Sequence, residues 1–369
     1  MIDLRQAFSV SYAQARVRFL EAAATAGLAL ESHLHPLPGR EGETLAMDVA
    51  LAGSPDAQHL LVVSSGCHGV EGFCGSGVQV HALHDEEWQD HASRHGVAVL
   101  YIHALNPYGF SHLRRVTQEN VDLNRNFQDF SAPLPANPAY GELHPLLLPA
   151  QWPPDVANQT AIAAYVQAHG MARFQAAVTQ GQHDFAGGMF FGGTGPTWSN
   201  RVLREVLRRH VQVAQHLAWI DIHTGLGPSG LGERIFAAGN DAATLHRARA
   251  WWGGAGATPV TSFYDGSSSS SPVRGMLFNV VYDECAQAQY TGIAMEYGTL
   301  PLPDMIQALR AEHWLHLHPD APAEQAAAIR QQMRDAFYVN TDTWKGQIIS
   351  QARQAMFQAV SGLSGSAPD

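Results

Sequence analysis

Residues 59–71 read HLLVVSSGCHGVE. Leu60 to Ser65 form a short, largely apolar run, the length of a buried strand rather than a helix. A glycine-flanked turn follows, and then His68 and Glu71 in H-x-x-E spacing. Two metal-ligand types thus sit just past a strand end, where an open α/β sheet places its chemistry. Two later stretches repeat the placement. WIDIHTG (219–225) puts Asp221 and His223 at a strand end, and TGIAMEYGT (291–299) does the same for Glu296. H-x-x-E alone is a weak motif. Three strand ends bearing such residues point to one hydrolytic metal site.

In that reading His68, Glu71 and His223 hold one ion. Two histidines and a glutamate are an established catalytic zinc set that leaves a coordination position open. Alternation along a strand places Asp221 on the same side as His223, where it can orient the imidazole. Glu296 emerges from the apolar run IAM. A buried carboxylate needs a partner or a task; here the task is proton transfer with the attacking water, and the alternative is a salt bridge within the cleft. Residues 111–127, SHLRRVTQENVDLNRNF, supply donors for a developing oxyanion and a substrate carboxylate. Cys67 is read as a small packed thiol rather than a ligand.

Composition narrows the class. The 369 residues carry 22 Lys and Arg against 33 Asp and Glu, a formal charge of -11, with no basic run. Nucleic acid is not expected as a partner, because phosphate binding needs a basic footprint. Apolar residues make up 46%, and no apolar window is long enough to cross a membrane. Three cysteines, Cys67, Cys74 and Cys285, do not make a disulfide framework, and with no signal-peptide pattern the expected location is the cytoplasm.

Along the chain, the patterns predict helices over 11–28, 78–93, 158–177, 199–215, 241–251, 302–317, 320–337 and 343–359. Ser9 or Ser11 is the expected cap of the first. Strands are expected at 60–65, 97–103, 217–222, 232–239 and 290–295, with edge strands within 29–58 around a Pro38–Gly39 turn. His81, His84 and His91 are read as surface residues of the 78–93 helix. Residues 131–157, with seven prolines, are expected to be an irregular excursion at a site rim. QGQHDFAGGMFFGGTGPTWSN (180–200) is either a ligand-approaching loop or an edge hairpin. The serine run 267–271 reads as a flexible loop, and the tail SGLSGSAPD as frayed. No linker is apparent, so residues 1–369 are expected to form a single catalytic domain with helical N- and C-terminal extensions.

HGVEG, NPYGF, RRVT, DLNRNF, DIHTG and AMEYGT, in this order, resemble the zinc carboxypeptidase superfamily, its peptidases and its aspartoacylase-like amidohydrolases. FSVSYAQARVRFLEAA and GQHDFAGGMFFGGTGPTWSN are similar to a bacterial family of unknown function within it. The resemblance implies an α/β fold with a mixed, mostly parallel eight-stranded sheet flanked by helices. It implies one Zn2+ on His68, Glu71 and His223, Glu296 as catalytic acid/base, Arg115 stabilising the oxyanion, and Asn124 and Arg125 gripping a substrate carboxylate. Peptidases of the superfamily carry a mobile tyrosine about twenty residues before the catalytic glutamate. Here Tyr264 lies 32 before it and Tyr282 14 before it; Tyr264 is taken as the candidate substrate contact. The expected activity is zinc-dependent cleavage of an amide in a small peptide or N-acyl amino acid. The alternatives are an esterase or deacylase whose substrate lacks a terminal carboxylate, and a non-catalytic metal-binding module.

Overall fold

The computed structural model describes residues 2–254 and 258–365. Eight strands form one sheet: β1 Ala29–Leu34, β2 Ala46–Ala52, β3 His59–Ser65, β4 Val97–His103, β5 His216–Gly225, β6 Gly232–Phe236, β7 Val260–Thr261 and β8 Gln289–Gly298. Their order is β1-β2-β4-β3-β5-β8-β6-β7. The central four, β4-β3-β5-β8, run parallel, while β1–β2, β2–β4 and β6–β8 pair antiparallel. The fold is therefore α/β, with a mixed, mostly parallel sheet flanked by helices. The central strands are buried on both faces, which accounts for their continuous apolar runs.

Parallel register brings the strand ends together. Ser64 of β3 lies opposite Asp221 of β5, and His223 lies opposite Glu296 of β8. With a side-chain period of two, Trp219, Asp221 and His223 share one face of β5, and Glu296 and Ala294 share it on β8. The turn after β3 delivers His68 and Glu71 above that edge.

Helices form close to their predicted positions, with three differences. The 78–93 helix is two helices, Gly72–Leu83 and Glu86–Arg94, split where the Asp85 carboxylate accepts the Trp88 N–H at 3.2 Å and starts a new turn. Gly170, at φ 82°, likewise splits 158–177 into Val156–His169 and Met171–Thr179. Residues 131–157 are not wholly irregular: Pro138–Leu147 is helical, with Asn137 as its cap and Pro138 at the first turn, where a missing N–H costs nothing. The Ser11 cap forms, its hydroxyl accepting from the Gln14 N–H at 3.2 Å.

Other expectations need correction. β2 is not an edge strand; it lies between β1 and β4, and of the two strands within 29–58 β1 is the one at the edge. His81 and His91 are buried, not on the surface. Helix Gly72–Leu83 is buried along its whole length, and His91 stacks on Phe357 of the helix Asp342–Ser364. That last helix continues through Ser364, well into the tail expected to fray; residues 366–369 of the tail lie outside the described residues. Among the described residues, no helix is long and apolar enough to cross a membrane.

The turn bearing His68 and Glu71 is pressed onto its neighbour. A Cβ added at Gly69 would lie 2.1 Å from the Gly109 carbonyl carbon and 2.3 Å from the Phe110 nitrogen. These are backbone atoms and cannot yield without moving the segment. Gly69→Ala is expected to lower unfolding free energy by about 1–3 kcal/mol, the usual cost of overpacking, measured by urea denaturation.

Candidate metal centre and its cavity

His68, Glu71 and His223 are all buried, and their ligand atoms lie within 4.8 Å of one another. The two Nδ1 atoms are 3.2 Å apart. Two nitrogens held at ordinary zinc distances in a tetrahedron would be roughly 3.3 Å apart. Glu71 Oε1 lies 2.9 Å from His68 Nδ1, and Oε2 lies 3.1 Å from His223 Nδ1. The donor set fits a divalent cation. The far side of each imidazole is also met: His68 Nε2 is 2.7 Å from Arg115 Nη2 and 3.4 Å from Asp122 Oδ1, and His223 Nε2 is 2.6 Å from Asp221 Oδ2. A carboxylate placed as Asp221 is fixes the tautomer and ring orientation of a ligand histidine. Asp221 is secured from below by the Ser64 hydroxyl at 2.5 Å, and Ser64 by the Trp219 indole N–H at 2.7 Å.

Cys67, Asp221 and His223 make a second cluster of the same tightness. It is the poorer site. Burial, together with the charges of Asp221, Asp122 and Glu71, pushes the Cys67 thiol well up, so the thiolate is disfavoured. Asp221 is already committed to His223 and Ser64.

Charge in the centre is closely matched. Burial opposes ionisation of Glu71, but His68 and His223 outweigh it and hold the carboxyl well below the usual range. Burial likewise disfavours the His223 imidazolium, and Asp221 and Glu71 outweigh it, raising its pKa well above the ordinary value. Asp122 is held low against burial by Arg115, Arg125 and His68. Arg115 bridges these acids, with Nε donating to Asp122 Oδ2 at 3.0 Å and Nη1 to Glu71 Oε1 at 3.2 Å. Glu296 differs. Burial and the neighbouring Glu71 charge push its carboxyl up to about 7, against the pull of His223, the Leu226 N–H and His68. A carboxyl poised near neutrality beside a metal site suits proton transfer.

A cavity open to solvent contains His68, Arg115, Asn124, Arg125, His223 and Glu296 in its wall. Arg125 is almost fully buried, and burial lowers its pKa to about 10. Its Nε donates to the Thr179 carbonyl at 3.1 Å, Nη2 donates to the same oxygen, and Nη1 donates to the Asn124 carbonyl at 2.9 Å. Nη1 also lies 4.0 Å from Asp122 Oδ1. A guanidinium has five N–H groups, so among the described residues one on each terminal nitrogen has no hydrogen-bond acceptor. Asn124 Oδ1 accepts the Leu277 N–H at 2.8 Å. Tyr264 is not among the residues lining the cavity; its hydroxyl donates to the Ala238 carbonyl at 3.1 Å, and its ring packs on Phe236 and Phe263. Arg114 is also turned away, in a buried pair with Glu312 at 2.5 Å.

Sequence reasoning misses Asp122, whose signal is an acid embedded in the apolar context of VDLNRNF. Residues 180–200, which pattern alone does not divide between loop and hairpin, are a loop as far as Thr197, which caps the helix Trp198–His210. It carries one isolated bridge, Gln182 to Phe191, and Phe190 at φ 53° reaches the cavity. The Phe190 ring lies 5.3 Å from the Arg115 guanidinium and 5.6 Å from that of Arg125. Replacing the carboxylate that orients His223, Asp221→Asn, is expected to weaken divalent-metal binding by about 10–100-fold, measured by competition with a chromophoric chelator.

Comparison with solved structures bears on this fold. Bovine thrombin-activatable fibrinolysis inhibitor, solved with tick carboxypeptidase inhibitor, aligns at TM-score 0.53 and 10% identity, covering 97% of this chain and 98% of that one. Carboxypeptidase A from Helicoverpa armigera aligns at TM-score 0.46 and 12% identity, over 89% of this chain and 74% of that one. A metallo-carboxypeptidase from Pseudomonas aeruginosa aligns at TM-score 0.46 and 13% identity, over 94% and 68%. A search of curated proteins finds no match. A protein-family profile described as "Protein of unknown function (DUF2817)" matches residues 8–351. The chain belongs to that family, and its fold is similar to that of the bovine structure.

Proposed function

We propose that this chain is a zinc-dependent hydrolase that cleaves an amide bond in a small substrate bearing a free carboxylate, as a carboxypeptidase or an N-acyl amino acid hydrolase. The observation that carries the reading is the convergence of the His68–Glu71–His223 cluster, Glu296 and the Arg125 guanidinium on one cavity. His68, Glu71 and His223 would hold the ion. When bound, a divalent cation supplies Lewis-acid polarisation of a carbonyl and lowers the pKa of a water molecule. Zinc is favoured among divalent ions by the two-histidine, one-glutamate set. The described residues act together as one catalytic unit, and the three buried free cysteines suit a reducing compartment such as the cytoplasm.

Glu296 accepts a proton from the attacking water and returns it to the leaving amine. Arg115, already shared between Asp122 and Glu71, is the donor nearest the ligand cluster for charge developing on the carbonyl oxygen. The two N–H groups left on the Arg125 terminal nitrogens suit a forked carboxylate contact, with Asn124 beside them. The carboxylate grip favours a substrate with a free carboxylate over an ester or amide without one. A module that only retained metal would have no use for Glu296 or Arg125 in the same cavity.

Three measurements test this. Glu296→Gln should lower kcat by about 10²–10⁴-fold with zinc stoichiometry unchanged by elemental analysis. Arg125→Ala should raise KM for N-acyl amino acids while leaving the methyl esters of the same acids little affected; equal loss on both would favour the carboxylate-free substrate. The general base must be ionised, so kcat/KM should rise with pH along an acid limb. A bound cation favours ionisation and moves that limb below the value of about 7 set by burial and Glu71.

A further inference from the structure

The cavity has a wall that belongs to neither the metal cluster nor the carboxylate grip. Phe263, Ser270, Ser271, Val273 and Met276, all on the connection between β7 and β8, line it. The two ends of this connection are well anchored. At one end the Arg249 guanidinium meets Asp265 at 2.5 Å, and the Tyr264 hydroxyl donates to Ala238. At the other, the Phe127 N–H donates to the Gly275 carbonyl at 3.0 Å, and Leu277 is held by Asn124.

The middle of the connection depends on one carboxylate. Glu233 Oε1 accepts the Thr261 hydroxyl at 2.6 Å and the Ser269 N–H at 3.1 Å, and Oε2 accepts the Ser269 hydroxyl. The other contact from outside the loop at this point is a long one, Gln175 Nε2 to the Ser269 carbonyl at 3.4 Å. Glu233 lies on β6 directly opposite Glu296 of β8. Opposed residues of an antiparallel pair present their side chains on the same face, so Glu233 rises from the cavity face of the sheet. It is half-buried and does not itself line the cavity. A carboxylate there, accepting from Thr261 at the end of β7 and from both donors of Ser269, ties the loop to the strand pair carrying the general-base candidate.

We propose that Glu233 is a positioning residue that fastens the serine-rich loop as a wall of the cavity and so sets the selectivity for the apolar group carried beside the substrate's carboxylate. The proposal rests on the hydrolase reading for its substrates. Glu233→Ala removes all three acceptor contacts. Glu233→Gln keeps the shape and one acceptor oxygen, and should give a partial effect.

The test has two arms on zinc-loaded protein. In the first, N-acetylphenylalanine and N-acetylalanine are compared as substrates. Glu233→Ala should lower the phenylalanine-over-alanine ratio of kcat/KM by about tenfold through KM, within the range an apolar pocket provides, with kcat for N-acetylalanine within about twofold. Equal loss of kcat on both substrates would overturn the proposal in favour of a general structural role. The second arm needs no turnover. Limited proteolysis of wild type and variant, read by mass spectrometry, should show cleavage within 262–277 several-fold faster in Glu233→Ala, intermediate in Glu233→Gln, and unchanged elsewhere. Unchanged cleavage in the loop overturns the proposal. If wild-type protein hydrolyses neither substrate, the activity reading fails by itself, and the same two acids used as ligands in calorimetry decide whether Glu233 governs selectivity.

Discussion

An ionised carboxylate sealed from water must be answered on every side, and Glu71 imposes that requirement on the rest of the molecule. Its oxygens meet His68, His223, the Thr224 N–H at 3.1 Å and Arg115. These partners come from the turn after β3, from β5, and from the segment following β4. Leaving such a charge without partners would cost several kcal/mol, so the three segments are obliged to meet. Arg115 needs Asp122 in turn, and His223 needs Asp221. Glu296 and Arg125 complete a cluster of four carboxyl groups, two imidazoles and two guanidinium groups. Within that set Glu296 has the weakest compensation, which is why its carboxyl alone drifts toward neutrality.

Much of this is legible in the residues because parallel strands expose their meaning twice. The buried runs at 60–65, 217–222 and 290–295 show where strands lie, and the first polar residue past each run shows where chemistry sits. His68, Glu71, His223 and Glu296 are found by that rule and lie together, as do Asn124 and Arg125 in the same cavity. Other features do not read, for identifiable reasons. His81 and His91 carry the composition of a solvent face, but the covering helix comes from more than 250 residues downstream, beyond the reach of a local pattern. β2 reads as an edge because its alternation is loose, yet a neighbour on each side makes it interior. Tyr264 stands out by its distance from Glu296 along the chain, a measure that says nothing about where a loop turns.

The cavity itself cannot be inferred from composition. Its apolar lining draws on β5, β6, β8, the loop before β8 and the helix Leu302–Leu317, no two of which share a periodic signal. Only the sheet order, which sets β6 and β7 beyond β8, makes these surfaces face one space. The same order explains why the serine-rich loop after β7 borders the cavity.

The ligands all precede residue 297, yet the segments that bear them are held by the C-terminal part of the chain. The Thr224 hydroxyl donates to the Phe337 carbonyl at 2.7 Å, the Thr299 hydroxyl donates to that of Ala336 at 2.6 Å, and the Trp344 indole donates to that of Gly298 at 3.0 Å. During synthesis on a ribosome, His68, Glu71 and His223 therefore emerge before the helices that steady the segments bearing them. A nascent chain paused near residue 300 would carry the candidate ligands without that support.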